Sequence, residues 1–229
     1  MKKEAFRAAF PHTIPVMTGY LFLGMAYGIY MRVSGFPFWY PLLTSVIVYG
    51  GSLEFLLVTI LLAPYAPLAT FLMALMLQAR HLFYGLAMLD RYKHLGKKRY
   101  YLIYALTDET FSVNCSTEVP EGIDEGWFMF FISILDHFYW IFAATMGGIL
   151  GSFITFDTGG IEFVMTAMFT VIFVEQLLKE KDHYSSIIGL ICSIVCLVVF
   201  GKDRFLIPAM ILIMLALGIR RPLGEGGRS

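Results

Sequence analysis

The 229-residue sequence is 58% hydrophobic and only 15% charged, with mean hydropathy +0.72 and a formal net charge of zero. Soluble domains carry about 25% charged residues, so this composition leaves a soluble fold as the weak alternative and indicates a polytopic membrane protein. No basic block is long enough for a nucleic-acid footprint, and Cys115, Cys192 and Cys196 lack the number and spacing of a disulfide framework or a zinc site.

Taken in order, the first apolar run is Thr13 to Met31, behind a basic start with Lys2, Lys3 and Arg7. It exceeds a signal-peptide core and lacks an A-x-A cleavage pattern, so a retained membrane helix is expected, in a bacterial-type cytoplasmic membrane. Its Gly24 and Gly28, four residues apart, permit close approach of another helix. Trp39 to Ala63 follows, with Gly50, Gly51 and Ser52 forming a soft or broken point just before Glu54. An unwound helix at membrane depth survives only where it lines protein or a cavity, which makes Glu54 and its glycines site candidates.

Pro64 and Pro67 mark a short turn before the helix-length stretch Phe71 to Asp90. That stretch holds Gln78, Arg80 and His81 among apolar residues. A central arginine costs roughly 2.5 to 3.5 kcal/mol on insertion scales, so Arg80 needs a partner, a ligand or a helix end from which to snorkel. Gln78 with His81, and Arg80 with Tyr84, share neighbouring helix faces. The loop from Arg91 to Arg99 is basic and expected to be cytoplasmic. Tyr100 to Ser116 is moderately apolar and carries Asp108 and Glu109, as a helix with a polar face or a partly inserted one; an acidic loop with Glu118, Glu121, Asp124 and Glu125 follows.

Trp127 to Phe153 is a strong span with Asp136 and His137 in its first half and Ala143, Gly147 and Gly151 at small-residue spacing. Phe163 to Leu178, Ser185 to Phe200 and Phe205 to Ile219 complete the series, the last two separated by a GKDR turn. Strict alternation from a cytoplasmic N-terminus would put the basic loop outside, against the positive-inside tendency, so either the N-terminus is outside or one first-half segment is broken or re-entrant, and the Gly50-Gly51 break and the Pro64/Pro67 turn favour the second. The fold expected is an all-α, polytopic helix bundle in one domain, with about seven crossings and a range of six to eight. GGSLEF at 50–55 echoes GGIEF at 159–163; the letters alone favour coincidence over a weak inverted repeat.

The intramembrane polar groups are Glu54, Gln78, Arg80, His81, Asp108, Glu109, Asp136 and His137. A zwitterionic ligand needs a cationic fork for its carboxylate and an acid or carbonyls for its ammonium; Arg80 suits the first role, Glu54 or Asp108 the second. His81, His137 and the carboxyls Glu109 and Asp136 are candidates to pass protons. Arg80 tied structurally to Glu54 or Asp108 is the competing explanation.

At these residues the chain resembles the AzlC family. The family's AGS-x-[QE]-F, N-A-R-H-x-x-Y-G and T-D-E-x-F stretches correspond to Gly50 through Phe55, Gln78 through Gly85 and Thr107 through Phe111, and a later stretch to Gly160 through Phe169. Gln78 departs from the usual Asn, and Glu54 stands where Gln is common. The resemblance implies export of branched-chain or related amino acids across the cytoplasmic membrane with a small hydrophobic AzlD-type subunit. The expected substrate-binding set is Arg80, Glu54, Gln78, Asp108, Tyr84, Gly50 and Gly51, with no cofactor or metal. The rivals are an intramembrane enzyme using Asp136 with His137 or Asp108 with Glu109, for which no HExxH or GxSxG motif speaks, and a channel-like accessory protein.

Overall fold

Small residues set the frame. The computed structural model describes residues 2–154, 163–179, 183–201, 205, 208–209, 211–213 and 215–216. The described secondary structure is entirely helical. In α1 (Lys2–Val33) and α9 (Glu125–Leu150), glycines lie where a side chain would strike the other helix: a Cβ on Gly24 would fall 2.7 Å from that of Ala143, and one on Gly28 would meet the Ala144 carbonyl. Gly147 likewise faces the Met25 carbonyl, and Gly151 faces Arg32. Contacts climb in the same order on both helices, so the two run parallel. Backbone approach of this kind gains dispersion contacts along the whole seam.

The two helices are also the described ones that are long and apolar enough to cross a membrane, over Lys2–Val33 and Glu125–Phe153. α1 starts earlier than its apolar run predicts and carries Pro11 and Pro15 internally. A proline inside a helix removes a hydrogen bond. Here Ala9 is buried against Phe128, Met129 and Ile132, and that packing holds the first turns helical. Asp124 starts α9 by accepting the Trp127 amide at 2.7 Å.

Lys2 and Lys98 both lie over the Trp127 ring, at 4.4 and 4.5 Å, so the N-terminus, the basic loop and the start of α9 share one end of this unit. Arg91 and Lys98 bridge Glu125 and Asp124 there, at 2.7 and 3.0 Å.

From the opposite end, α2 (Trp39–Ile47) descends from the Gly148 level, where Phe38 and Pro41 touch α9, to the His137 level, where Ser45 does. The chain breaks at 48–50, and α3 (Gly51–Leu62) climbs back, Gly51 beside Trp140 and Phe55 beside Tyr27 and Tyr30. The second hairpin enters from the Lys98 end: α7 (Lys98–Tyr104) rises past His137, and α8 (Asp108–Ser116) returns, its Thr110 meeting Asp136 and its Asn114 carbonyl accepting from Arg91. Two segments therefore fold back as hairpins, and of the seven crossings expected, two described helices have the length and apolarity for one.

Between the hairpins run α4 (Pro67–Leu77), α5 (Ala79–Ala87) and α6 (Leu89–Tyr92). Apolar periodicity predicts one helix across Phe71 to Asp90; the structure breaks it at Gln78 and again at Met88. Neither residue is a helix breaker, so tertiary contacts override propensity. Asp108 through Ser116 is likewise separated from α7 at 105–107 rather than continuous with it.

Residues beyond Met165 form a second compact unit. The apolar runs expected at 163–178 and 185–200 are helical, as α10 (Phe163–Lys179) and α11 (Tyr184–Phe200), and Cys192 and Cys196 of α11 are buried as apolar fillers. The GGIEF echo, the GKDR turn and the terminal arginines fall largely or wholly outside the described residues.

Candidate functional site

Breaking a helix frees carbonyls at one side and amides at the other. At the first hairpin's tip the carbonyls of α2 are taken up by side chains: Tyr104 Oη donates to Val46 O and Ile47 O at 2.6 and 3.1 Å, and His137 Nε2 meets Ser45 O at 3.0 Å. A carbonyl only accepts, so Nε2 carries the imidazole proton, while Nδ1 faces the Tyr101 hydroxyl at 2.9 Å. Tyr49 in the break holds φ at +44°, a left-handed conformation costly for a bulky residue, and its buried ring packs on His137 with centroids 4.0 Å apart.

The amide side of this tip opens α3 at Gly51. A Cβ on Gly50 would come 2.5 Å from Gln78 Nε2, and one on Gly51 would come 3.2 Å from the Trp140 ring. The glycines are thus needed for close approach: Gly50 seats Gln78, and Gly51 seats Trp140. Glu54, fully buried, accepts the Trp140 indole proton at 2.7 Å.

Arg80, in the first turn of α5, joins the two hairpins. Its Nη1 pairs with Asp108 Oδ2 at 2.9 Å and its Nη2 donates to Ser52 Oγ at 3.1 Å. Three helix starts, those of α3, α5 and α8, therefore meet at one guanidinium. The arginine and Asp108 side chains remain 32% and 27% exposed, so the pair is accessible. A helix start carries a partial positive charge, which favours an anion.

The second tip is capped by Thr107, whose Oγ1 accepts the Thr110 amide at 3.3 Å. Tyr20 from α1 bonds Thr107 Oγ1 at 2.7 Å and donates to Glu109 Oε2 at 2.8 Å. Thr110 Oγ1 donates to the buried Asp136 Oδ2 at 2.8 Å. His81 sits edge-on to Tyr84, and Tyr84 stacks on Phe111 with centroids 4.5 Å apart.

The structure therefore gathers Arg80, Asp108, Gln78 and Gly50 into one cradle, with His81 and Tyr84 on the same α5. Glu54 does not meet Arg80; Asp108 is the acid at its guanidinium, and Glu54 is turned to Trp140. Asp136 and His137 lie buried midway along α9, next to the hairpin tips. Several of the contributors have no advance signal: Tyr20, Tyr49, Tyr104 and Trp140 read as core aromatics. Thr107 was findable, since a threonine before two acids is an N-cap pattern. Among the described residues, buried polar atoms without a hydrogen-bond partner concentrate here: Glu54 Oε1, Gln78 Oε1, Arg80 Nε, His81 Nδ1, Asp108 Oδ1, Asp136 Oδ1 and the Tyr49 hydroxyl, with Asn114 Oδ1 deeper in α8. Such atoms are costly to bury, and their grouping at a strained break marks a place built to bind something polar.

Comparison with known proteins adds an independent line. The profile of the family described as AzlC protein matches residues 15–154, a range that contains every residue of the cradle. The chain is 50% identical to "Branched-chain amino acid transport protein AzlC" of Bacillus subtilis over 96% of this chain and 87% of that one. It is 48% identical to an "Uncharacterized membrane protein" of Haemophilus influenzae over 95% and 89%, and 25% identical to "Inner membrane protein YgaZ" of Escherichia coli over 87% and 82%. No solved structure matches the chain.

Proposed function

The chain belongs to the AzlC family, and from that premise we propose that it is the large subunit of a transporter for branched-chain or related small apolar amino acids. It lies in the cell membrane, works as an exporter driven by the proton gradient, and acts with a small hydrophobic AzlD-type subunit. The observation that carries this reading is the Arg80 guanidinium held at the junction of three helix starts, with an accessible carboxylate partner. A substrate carboxylate replaces Asp108 on the planar fork, and the freed Asp108 receives the substrate ammonium. Gln78 and Tyr84 border the site, while Gly50 and Gly51 let the first tip close on it. His81, Glu109, Asp136 and His137 supply the protonatable groups for coupling.

α1, the α4–α6 segment and α9 cross the bilayer, and the two hairpins enter it from opposite faces and meet in the middle. With α10, α11 and the C-terminal apolar segment this gives about six crossings, the lower end of the expected range. The N-terminus and the basic loop then share the cytoplasmic face.

The test is leucine and valine flux in proteoliposomes holding the chain and its small subunit. Uphill movement under an imposed proton gradient supports the reading. Flux no greater than in empty vesicles overturns the substrate assignment, and purely passive flux overturns the proton drive and favours a channel-like role.

A further inference from the structure

A line of hydrogen bonds runs from the half-buried Glu109 to the buried Asp136 through hydroxyls alone. Glu109 Oε2 lies 2.8 Å from Tyr20 Oη, which lies 2.7 Å from Thr107 Oγ1. Thr107 Oγ1 lies 3.1 Å from Thr110 Oγ1, and that oxygen lies 2.8 Å from Asp136 Oδ2. The line has four links and three hydroxyls, so hydroxyl protons fill three of the links. The fourth needs a proton on one carboxyl. With the proton on Glu109, every link points toward Asp136; with it on Asp136, every link points back.

Resting on the transport reading above, we propose that Glu109 and Asp136 share one proton, relayed by the hydroxyls of Tyr20, Thr107 and Thr110, and that this relay links proton movement to the Arg80–Asp108 site. In the forward step the carboxyl proton of Glu109 passes to Tyr20 Oη as the Tyr20 proton passes to Thr107, the Thr107 proton to Thr110 and the Thr110 proton to Asp136 Oδ2. Four O–H bonds break and four form. Glu109 ends as a carboxylate and Asp136 as an acid, with no other reactant.

The surroundings suit this. Asp108 and Arg80 face Glu109, so displacing Asp108 from the guanidinium changes the field at the near end of the line. Glu109 and the Tyr49 and Tyr20 hydroxyls face Asp136, and His137, next to it on α9, is committed to Ser45 and Tyr101. Among the described residues no salt bridge reaches Asp136 or Glu109. Tyr20 is held over Trp140, and Thr110 is fully buried, so the hydroxyls stay in register.

Two measurements test the relay. In proteoliposomes, Tyr20→Phe and Thr110→Val are expected to lose leucine-driven proton movement by about tenfold or more while leucine–leucine exchange falls less than about twofold; Thr110→Ser restores the proton movement. A proton-to-leucine ratio equal to wild type in both variants overturns the relay, whereas wild type that moves no leucine overturns the transport reading instead. Infrared spectroscopy of the full chain in detergent needs no transport. It is expected to show a carboxylic-acid band that survives Glu54→Gln and disappears in either Glu109→Gln or Asp136→Asn, because an amide at either end supplies the fourth proton. A band that persists in either of these two variants overturns the shared proton.

Discussion

The α1–α9 seam and the cradle between the hairpins are built on opposite rules. The seam is closed: Gly24, Gly28, Gly147 and Gly151 bring backbone against backbone or side-chain stem, and α1 contributes none of the buried polar atoms that lack a partner. The cradle is polar and incompletely satisfied, with a strained Tyr49, an arginine shared between Asp108 and Ser52, and helices interrupted at its centre. A packed frame cannot deform gradually, whereas a broken helix with spare donors and acceptors has alternatives to choose among. The frame fixes where the tips meet; the cradle is the part free to answer a ligand.

One substitution made in both regions gives the sharpest contrast. Gly28→Ala drives a Cβ into the backbone at Ala144, Gly147 and Gly148, which cannot yield cheaply. A loss of about 3 kcal/mol or more, read as a collapse of the melting temperature in detergent, is expected. Gly50→Ala adds the same atom where the neighbour is the far end of the Gln78 side chain. It should change stability by less than about 1 kcal/mol yet reduce leucine flux severalfold by displacing Gln78. Equal effects at both positions would erase the distinction between frame and cradle.

Tyr104→Phe probes the cap on the first break, where one hydroxyl serves two freed carbonyls. Its removal is expected to cost about 1 kcal/mol, with the tip region exchanging amide hydrogens faster and the α1–α9 seam unchanged. The smallest effect lies outside the cradle, at Asp124. The Trp127 amide and the Lys98 ammonium hold this carboxyl below its ordinary value of 3.8. Its contribution is therefore complete above that value and lost as pH falls through the lower folded one. Melting temperatures taken between about pH 5 and pH 2 should fall less steeply for Asp124→Asn than for wild type, by a modest amount since the group is exposed.

Much of this layout was legible in the letters. Gly50-Gly51-Ser52 announces a break, the small-residue spacing of α1 and α9 announces a close helix neighbour for each without naming it, and the clash between alternation and the basic loop leaves either an external N-terminus or a segment that turns back. An arginine in an apolar stretch also names its own need for a partner. Other features lie in tertiary contacts that no local pattern records. Gln78 interrupts a helix at the point where its side chain lies against Gly50. Glu54 turns to Trp140, 86 residues away, rather than to Arg80. The second hairpin hides in a moderately apolar stretch whose only punctuation is the Thr107 cap, and Tyr49 takes a positive φ that its sequence neighbours do not foretell.

Arg80→Lys tests the central claim most directly, because it keeps the charge and removes the fork that can hold a carboxylate through two parallel bonds. Leucine flux in proteoliposomes is expected to drop by about tenfold or more, against a melting temperature within a few degrees of wild type. Flux at the wild-type rate would mean that Arg80 only ties the hairpins together.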